Sequence, residues 1–307
     1  YVVKELLNKG YKVIIVDNLK KDHCLFYVNP NVELISKDIT DPFLFQILDQ
    51  YEIDGVYHLA AQTSTEGAFM DPSSDIQVNS YGTWLIANYC KNRKIKRLIY
   101  CSTSAVFGSA CKDIVDEETL CQPNSIYGVS KYSGELFIKQ LPKEGDTKYT
   151  IFRFANIYGP GENLNFMGKG MVGIFSSFVW KKEPIVVRGS LERFRDFLFI
   201  EDTVEALVKA YDCENANNQV YVLSSGVKVY LRELIEKIIQ ISGNQPNYPV
   251  VISKGTLGDT HGFHADISKV CRDLDWAPRH SLEEGLKKFL DWMNKVPVTK
   301  DITEYHP

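Results

Sequence analysis

The sequence lacks several features that would point to particular classes of protein. Its seven cysteines form no CxxC pair and are odd in number, which fits reduced thiols better than a disulfide framework or a zinc site. No apolar stretch approaches the roughly 20 residues of a membrane-spanning helix, and no signal peptide is visible. The net charge is −4 and no basic run occurs. We therefore expect a cytoplasmic protein that binds no metal, nucleic acid or membrane.

The start of the chain has no strand and no glycine-rich turn. Residues 1–9 read YVVKELLNK, a helical stripe that begins without a cap. We expect the natural chain to begin earlier, although a frayed first helix would give the same pattern.

What the sequence does contain is an alternation of strand-like and helical segments. Short, nearly all apolar runs suit strands buried on both faces, and they lie at 12–17, 32–36, 55–60, 97–102 and 149–154. Helical patterns lie between them at about 41–50, 72–93 and 125–140. This alternation predicts an α/β fold with a doubly wound parallel sheet. Further on we expect a short strand at 184–189 and helices near 171–181, 203–212, 231–242 and 281–295.

Tyr127 and Lys131 are the first candidate catalytic residues, because side chains four apart share a helix face. A lysine ammonium about 4 Å from a phenol contributes roughly 4 kcal/mol at an effective dielectric of about 20. That interaction would lower the phenol pKa by about 3 units, towards 7, and give a general base near working pH. The pair alone is a weak signal, because about one is expected by chance in a chain with 17 tyrosines.

Thr103 strengthens this interpretation. The strand at 97–102 ends in the small hydroxyl residues of STSAVFG, and the carboxyl ends of parallel strands form the crevice where α/β sheets bind ligands. Because the Tyr127 helix follows that strand, we expect Thr103 and Tyr127 to meet there.

Together these stretches resemble the extended short-chain dehydrogenases/reductases, specifically their nucleotide-sugar epimerase/dehydratase branch. The matching segments occur in the family's order: VIIVDNL (13–19), KDITD (37–41), YHLAAQ (57–62), VNSYGT (78–83), CSTSAVFG (101–108), SIYGVSK (125–131), FRFANIYGPG (152–161) and RFRDFLFIED (193–202). The resemblance implies that Tyr127 is the base, that Lys131 binds the nicotinamide ribose, and that Thr103 hydrogen-bonds the reacting sugar oxygen.

The same resemblance implies NAD as cofactor. Asp17, beside Asn18, ends a strand, where a carboxylate accepts both ribose hydroxyls and repels a 2′-phosphate. The other residues implied at the cofactor, flanking the adenine or presenting small side chains and backbone, are Asp38, Ile39, Leu59, Ala60 and Ala61. We interpret His58 as a core histidine and Asn79 as a structural residue behind the site. The family's glycine-rich pyrophosphate turn would lie ahead of Tyr1.

Ser104 and Ala105 bear on the type of reaction. In the family, dehydratases and decarboxylases carry acidic residues at these positions, and neither Ser104 nor Ala105 can transfer a proton at neutral pH. This favours 4-epimerisation through a 4-keto sugar. The alternatives are a dehydrogenase, reductase or dehydratase of the same family, or a non-catalytic sensor of dinucleotides or nucleotide sugars.

The substrate implied by the resemblance is a nucleotide-diphosphate sugar. Asn156 and Arg195 match positions that contact the phosphates, and Ser104 lies beside the sugar. A second family arginine is replaced here by Thr256. Residues 1–160 would form an NAD-binding Rossmann-like domain, with strands near 196–203 and 219–225 returning to it, and residues 161–307 mainly a substrate lobe. We also expect a homodimer through the helices at 72–93 and 125–140.

Overall fold

The computed structural model of the protein describes residues 1–20, 30–110, 113–162, 170–244, 246–255 and 262–295. Within these ranges, no helix has both the length and the apolar character needed to cross a bilayer. The elements follow the predicted alternation of strands and helices.

The strands of the described residues are short and apolar. They are β1 (Val13–Asp17), β2 (Val32–Ser36), β3 (Gly55–His58), β4 (Arg97–Thr103), β5 (Ile114–Val115), β6 (Lys148–Phe154), β7 (Asn156–Tyr158), β8 (Ile185–Arg188), β9 (Phe194–Arg195), β10 (Phe197–Phe199), β11 (Gln219–Leu223), β12 (Val229–Tyr230), β13 (Val250–Ser253) and β14 (His264–Ala265).

The α-helices are α1 (Val2–Asn8), α2 (Phe43–Leu48), α3 (Thr65–Met70), α4 (Pro72–Asp75), α5 (Thr83–Asn92), α6 (Ile126–Ile138), α7 (Leu141–Glu144), α8 (Met171–Trp180), α9 (Ile200–Asp212), α10 (Leu231–Ile241), α11 (Ser268–Leu274) and α12 (Leu282–Met293). A π-helical turn, Ile76–Gly82, joins α4 to α5, so the segment predicted as one helix at 72–93 is helical throughout but changes its pitch.

The main sheet has the strand order β11-β6-β4-β3, and all its strands are parallel. Leu98, Ile99 and Tyr100 of β4 are fully buried, as expected for a central strand covered on both faces. Because the strands are parallel, their carboxyl ends share one edge, where Thr103 ends β4. β11, which lies where a strand near 219–225 was expected, pairs in parallel with β6.

A second parallel pair, β1 and β2, lies across a cavity from the main sheet. The cavity has a volume of about 660 Å³ and is lined by Val13–Val16 of β1 and by Gly55–His58 of β3, with apolar side chains predominating. Among the described residues, no strand pairs with β1 or β3 on the side that faces it.

The strand expected near 196–203 pairs with a strand of residues 1–160 but is shorter than expected. The strand ends at Phe199 and pairs with β7 in a separate two-stranded sheet, and α9 begins at Ile200. Glu201 and Asp202 occupy the first turn of α9, where carboxylates are favoured by the helix dipole, and Thr203 is buried within that helix. The apolar residues of β10 run directly into the first turn of α9, so the apolar pattern alone does not show where the strand ends.

The second half of the chain packs around its own apolar cluster. Side chains from α8, α10 and α12 form most of it, including Phe175, Leu234, Ile238, Leu286 and Phe289. Two-stranded pairs lie beside it, β8 with β13 and β9 with β12. The division of the chain into two domains near residue 160 stays a prediction.

Candidate active site

The beginning of α6 brings Tyr127 to Thr103. Ser125 caps the helix by accepting a hydrogen bond from the Gly128 amide at 3.1 Å. A Cβ on Gly128 would lie only 2.6 Å from the carbonyl oxygen of Ala105, so glycine at this position allows the helix to approach the turn after β4. At that approach the Tyr127 phenol and the Thr103 side chain form a hydrogen bond.

The turn after β4 carries no acidic side chain. Ser104–Val106 forms a single 3₁₀ turn, and the Thr103 hydroxyl oxygen accepts a hydrogen bond from the Ala105 amide at 3.2 Å. Ser104 and Ala105 therefore present only a hydroxyl and a methyl group beside the Thr103–Tyr127 pair. A second proton-transfer group would have to come from elsewhere.

Lys131 lies one turn after Tyr127 and is buried. Its Nζ is 4.3 Å from the ring centroid of Tyr100, whose hydroxyl donates to the Lys131 carbonyl oxygen at 3.3 Å. Burial lowers the pKa of Lys131 to about 8, although Cys101, Glu135 and Asp75 act to raise it. The ammonium is therefore close to its point of deprotonation slightly above neutral pH.

The predicted pKa of Tyr127 is wrong for the structure without ligands. Burial raises this pKa above its ordinary value, the hydrogen bond with Thr103 lowers it, and Asp75 and Cys101 raise it again. The sequence argument counted the attraction of a lysine charge but not the cost of removing a phenolate from water.

A buried polar network lies behind Tyr127 and Lys131. Asp75 is fully buried, and its Oδ1 accepts hydrogen bonds from Gln62 Nε2 at 2.8 Å and Asn79 Nδ2 at 3.2 Å. Its Oδ2 accepts from the Ser130 hydroxyl, whose oxygen also lies 3.0 Å from the Tyr127 carbonyl oxygen. The Asn79 side chain also accepts a hydrogen bond from the Gln62 amide and donates one to the Gln62 carbonyl oxygen, each at 2.9 Å. Asn79 thus lies behind the site, as we interpreted, and links the loop after β3 to α6.

A buried ion pair fixes α6 to the sheet. Glu135 is fully buried and receives hydrogen bonds from the Arg153 guanidinium, at 2.9 Å for Nη2 and 3.1 Å for Nε. Ser102, beside Thr103 on β4, donates to the same carboxylate at 2.6 Å. The helix that carries Tyr127 is therefore anchored to both β4 and β6.

The candidate cofactor residues follow the carboxyl ends of β1, β2 and β3. Asp17 ends β1, and its Oδ1 accepts from the Leu19 amide at 2.7 Å. Asn18 donates to Asp38 at 2.9 Å. Burial raises the pKa of Asp38, but hydrogen bonds from Asn18 and Thr40 outweigh it and leave the pKa below its usual value. This edge therefore presents two carboxylates, and that of Asp38 stays ionised at neutral pH.

The remaining cofactor candidates are apolar. Ile39 is buried, Leu59 is about half exposed, and Ala60 and Ala61 follow β3 with partly exposed small side chains. His58 is buried, shares a hydrogen bond of 2.9 Å with Thr83, and has its pKa lowered by burial to about 3. These contacts agree with the interpretation of His58 as a neutral core histidine.

Asn156 on β7 contacts the residue that follows Arg195, at the end of β9. Asn156 is the register partner of Phe197, and its Nδ2 donates to the Asp196 carbonyl oxygen at 3.1 Å. Arg195 is largely buried on β9, and its Nη1 donates to the Phe194 carbonyl oxygen at 2.8 Å. The two residues predicted to contact the substrate phosphates thus belong to one local cluster. Thr256 lies outside the described residues.

The sequence argument missed Tyr100, Asp75 and Glu135. Tyr100 lies in the predicted strand at 97–102, and Glu135 lies in the predicted helix at 125–140. Glu135 follows Lys131 by one helical turn, but its importance is visible only once its burial is known. Among the described residues, no group of three or more histidine, cysteine or acidic side chains could hold a metal ion.

Comparison with known sequences gives one family. The sequence model of the family described as GDP-mannose 4,6 dehydratase matches residues 1–289. The chain is 28% identical to UDP-glucuronic acid decarboxylase 1 of Arabidopsis thaliana, covering 96% of this chain and 67% of that protein. It is 26% identical to a UDP-glucose 4-epimerase of Mycolicibacterium smegmatis, covering 95% and 93%.

Solved structures with the same fold include two epimerases. The UDP-glucose 4-epimerase of Thermotoga maritima, solved with UDP-glucose, is 29% identical with a TM-score of 0.90, covering 96% of this chain and 94% of that one. The UDP-glucuronic acid 4-epimerase of Bacillus cereus, solved with UDP-glucuronic acid and NAD, is 26% identical with a TM-score of 0.86, covering 96% and 95%. The predicted α/β fold class is confirmed by these similarities.

Proposed function

Since the chain belongs to the family described as GDP-mannose 4,6 dehydratase, within the extended short-chain dehydrogenases/reductases, we propose that it epimerises a nucleotide-diphosphate sugar at C4. The observation that carries the proposal is the hydrogen-bonded Thr103–Tyr127 pair beside a turn without an acid. This arrangement can move one proton to and from a hydroxyl group.

In the proposed reaction, Tyr127 removes the proton from the sugar 4-hydroxyl, and Thr103 hydrogen-bonds the same oxygen. NAD, when bound, would supply the acceptor and donor of the hydride at C4, so that the 4-keto sugar could be reduced on its opposite face. Lys131 holds the nicotinamide ribose and, while protonated, favours the ionised form of Tyr127. After the sugar has turned over in the site, Tyr127 returns the proton to the 4-oxygen.

The residues of the sheet edge fit NAD. A carboxylate at the end of β1, Asp17, suits an adenosine ribose with free hydroxyls and would repel a 2′-phosphate. Asp38 and Ile39 would flank the adenine, while Leu59, Ala60 and Ala61 leave room for the cofactor backbone. The similar epimerase of Bacillus cereus was solved with NAD. The diphosphate of the substrate would bind Asn156 and Arg195, whose guanidinium fork suits phosphate oxygens.

Dehydration and decarboxylation are the competing reactions, and the family includes enzymes named for both. Elimination requires an acid and a base besides the tyrosine. Ser104 and Ala105 supply neither, and this favours epimerisation.

We further propose that the protein is a homodimer. The faces of the 76–92 segment and α6 that point away from the sheet expose large apolar side chains, among them Tyr81, Trp84, Val129, Leu136 and Phe137. The two segments pack against each other, so these side chains form one surface. Cytoplasmic location stays a prediction from the sequence.

The proposal is tested with the protein as its gene encodes it. Incubation with UDP-glucose, UDP-galactose and related nucleotide sugars should give the C4 epimer without a net rise in absorbance at 340 nm. A stoichiometric rise would instead identify a dehydrogenase, and a 4-keto-6-deoxy product a dehydratase. Bound NAD without turnover of any sugar in the panel would favour the sensor.

A further inference from the structure

We propose that the buried carboxylate of Asp75 sets the pH range in which Tyr127 and Lys131 work, as a positioning residue that touches neither substrate nor cofactor. The inference rests on the proposed function for its kinetic consequence but not for its electrostatic one. The geometry that points to it is the network behind the site.

The hydrogen-bond partners of Asp75 suit its ionised form. All three of its hydrogen-bond partners, Gln62 Nε2, Asn79 Nδ2 and the Ser130 hydroxyl, donate to it. An ionised carboxylate accepts hydrogen bonds only, so this set of donors matches the charged form. Burial raises the pKa of Asp75 above its usual value, and the hydrogen bonds and Lys131 offset only part of that rise.

The charge of Asp75 is not neutralised by a neighbouring cation, in contrast to that of Glu135. Glu135 forms a direct ion pair with Arg153, but within the described parts of the chain no ion pair joins Asp75 to a lysine or arginine. Lys131 is the cation whose interaction with Asp75 acts on both groups. A buried, unneutralised charge acts over a longer distance than a paired one, because little water screens it.

Asp75 is coupled to the catalytic pair through α6. Ser130, which donates to Asp75 and whose hydroxyl oxygen lies 3.0 Å from the Tyr127 carbonyl oxygen, immediately precedes Lys131 in the chain. The negative charge opposes ionisation of Tyr127, adding to the effect of burial, and it favours the protonated form of Lys131, whose pKa burial lowers to about 8. Both pKa values are therefore higher with Asp75 than without it.

Other groups also face the pair, and they define the controls. Cys101 of β4 and Glu135 of α6 raise the pKa of Lys131, and Lys131 in turn lowers that of His58 on β3. On the other side of Asp75, α3 carries Glu66, which is exposed, and Asp71 caps α4 at the surface. None of these side chains is hydrogen-bonded to the Asp75 carboxylate among the described residues.

The experiment is the substitution Asp75→Asn, which removes the charge and keeps the shape. We expect both limbs of the pH profile of kcat/KM to move to lower pH by about 0.5–1 unit, because loss of the anion eases ionisation of Tyr127 and deprotonation of Lys131. Asp71→Asn removes the same charge from the exposed cap of α4, and its limbs should stay in place. A purely structural role of Asp75 would lower kcat or stability but leave both limbs where they are.

A second readout does not depend on turnover. In protein labelled with ¹³C-lysine, the NMR signal of the Lys131 Cε is assigned by its absence in Lys131→Arg. The chemical shift of this signal should titrate near pH 8 in the wild-type protein. In Asp75→Asn it should titrate at lower pH. Asp75→Ser is the substitute if Asp75→Asn does not fold. Absence of this shift would overturn the role of Asp75, even in an active enzyme. If the titration of Lys131 moves to lower pH in Asp75→Asn but no sugar is turned over, the role of Asp75 stands and the proposed function is refuted.

Discussion

Single residues decide how closely the catalytic groups approach each other. Gly128 is the clearest case, because α6 can lie against the turn after β4 only if position 128 has no side chain. Ser125 and Thr103 then fix the two sides of the contact, one by capping the helix and the other by accepting a hydrogen bond from the Ala105 amide. The approach of the Tyr127 phenol to the Thr103 hydroxyl thus depends in part on Gly128 and Ser125, which have no contact with the substrate in the proposed mechanism.

We predict that Gly128→Ala separates this pair. Its Cβ would lie 2.6 Å from a backbone oxygen, which cannot move as a flexible side chain can, so α6 must shift. We expect a loss of stability of about 1–3 kcal/mol and a lower kcat, measured by denaturant unfolding and by steady-state kinetics. In Gly145→Ala, by contrast, the new Cβ meets its nearest neighbour at an ordinary 3.4 Å, and kcat should not change. An unchanged kcat in Gly128→Ala would refute the contact.

Sequence reasoning worked at this scale where chemistry is local and failed where it is not. The positions of Thr103, Tyr127 and Lys131 follow from their order along the chain and from helical periodicity. The direction in which the Tyr127 pKa is shifted does not follow from the sequence, because it depends on burial and on Asp75, which is 52 residues earlier. The interpretation of His58 as a core residue is correct because a histidine that ends an apolar strand faces the packed interior.

At the scale of secondary-structure elements, α6 is the part on which the site depends. Its inner face bonds to β4 and β6 through Glu135, and to the π-helical turn through Ser130 and Ser133. The attachments through Glu135 and through Ser130 are buried, so removal of one partner leaves the other without that hydrogen bond. The helix is therefore fixed in direction as well as in depth.

We predict that Glu135→Gln strongly destabilises the protein. The change leaves the guanidinium of Arg153 buried without its counter-charge, and breaking a buried pair in this way costs about 3–5 kcal/mol. The free energy of unfolding in urea measures the effect. Glu192→Gln is the matched control, because Glu192 and Arg232 form an ion pair that is more than half exposed, and its loss should change stability by less than about 1 kcal/mol. Equal effects of the two changes would contradict this account.

The elements themselves were largely predictable, and the exceptions have physical reasons. Runs such as 97–102 are buried on both faces and read clearly as strands, since their residues are apolar and rich in branched side chains. Only the end of the strand near 196–203 differs from the expectation, because the buried side of an amphipathic helix, α9, continues the apolar strand β10 directly. The pairing of β10 with β7 depends on contacts between segments about 40 residues apart, which periodicity does not describe.

At the scale of the whole molecule, the exposed apolar face of α5 and α6 is the feature that folding of one chain leaves unexplained. We predict that Trp84→Glu combined with Val129→Glu converts a dimer into a monomer, because each places a charge in the proposed interface. Sedimentation velocity measures the change in mass. Ile252→Glu, at a position of β13 that is 60% exposed, is the control and should leave the mass unchanged. A wild-type protein that sediments as a monomer would refute the proposed dimer.

The central claim is that hydride leaves and returns at C4 while Tyr127 moves the proton. The most direct measurement uses UDP-galactose deuterated at C4, with the product analysed by NMR and mass spectrometry. The account predicts a UDP-glucose product that keeps its deuterium at C4, and turnover about 10²- to 10⁴-fold slower in Tyr127→Phe. Deuterium lost to solvent or transferred to another carbon, or full activity in Tyr127→Phe, would contradict it.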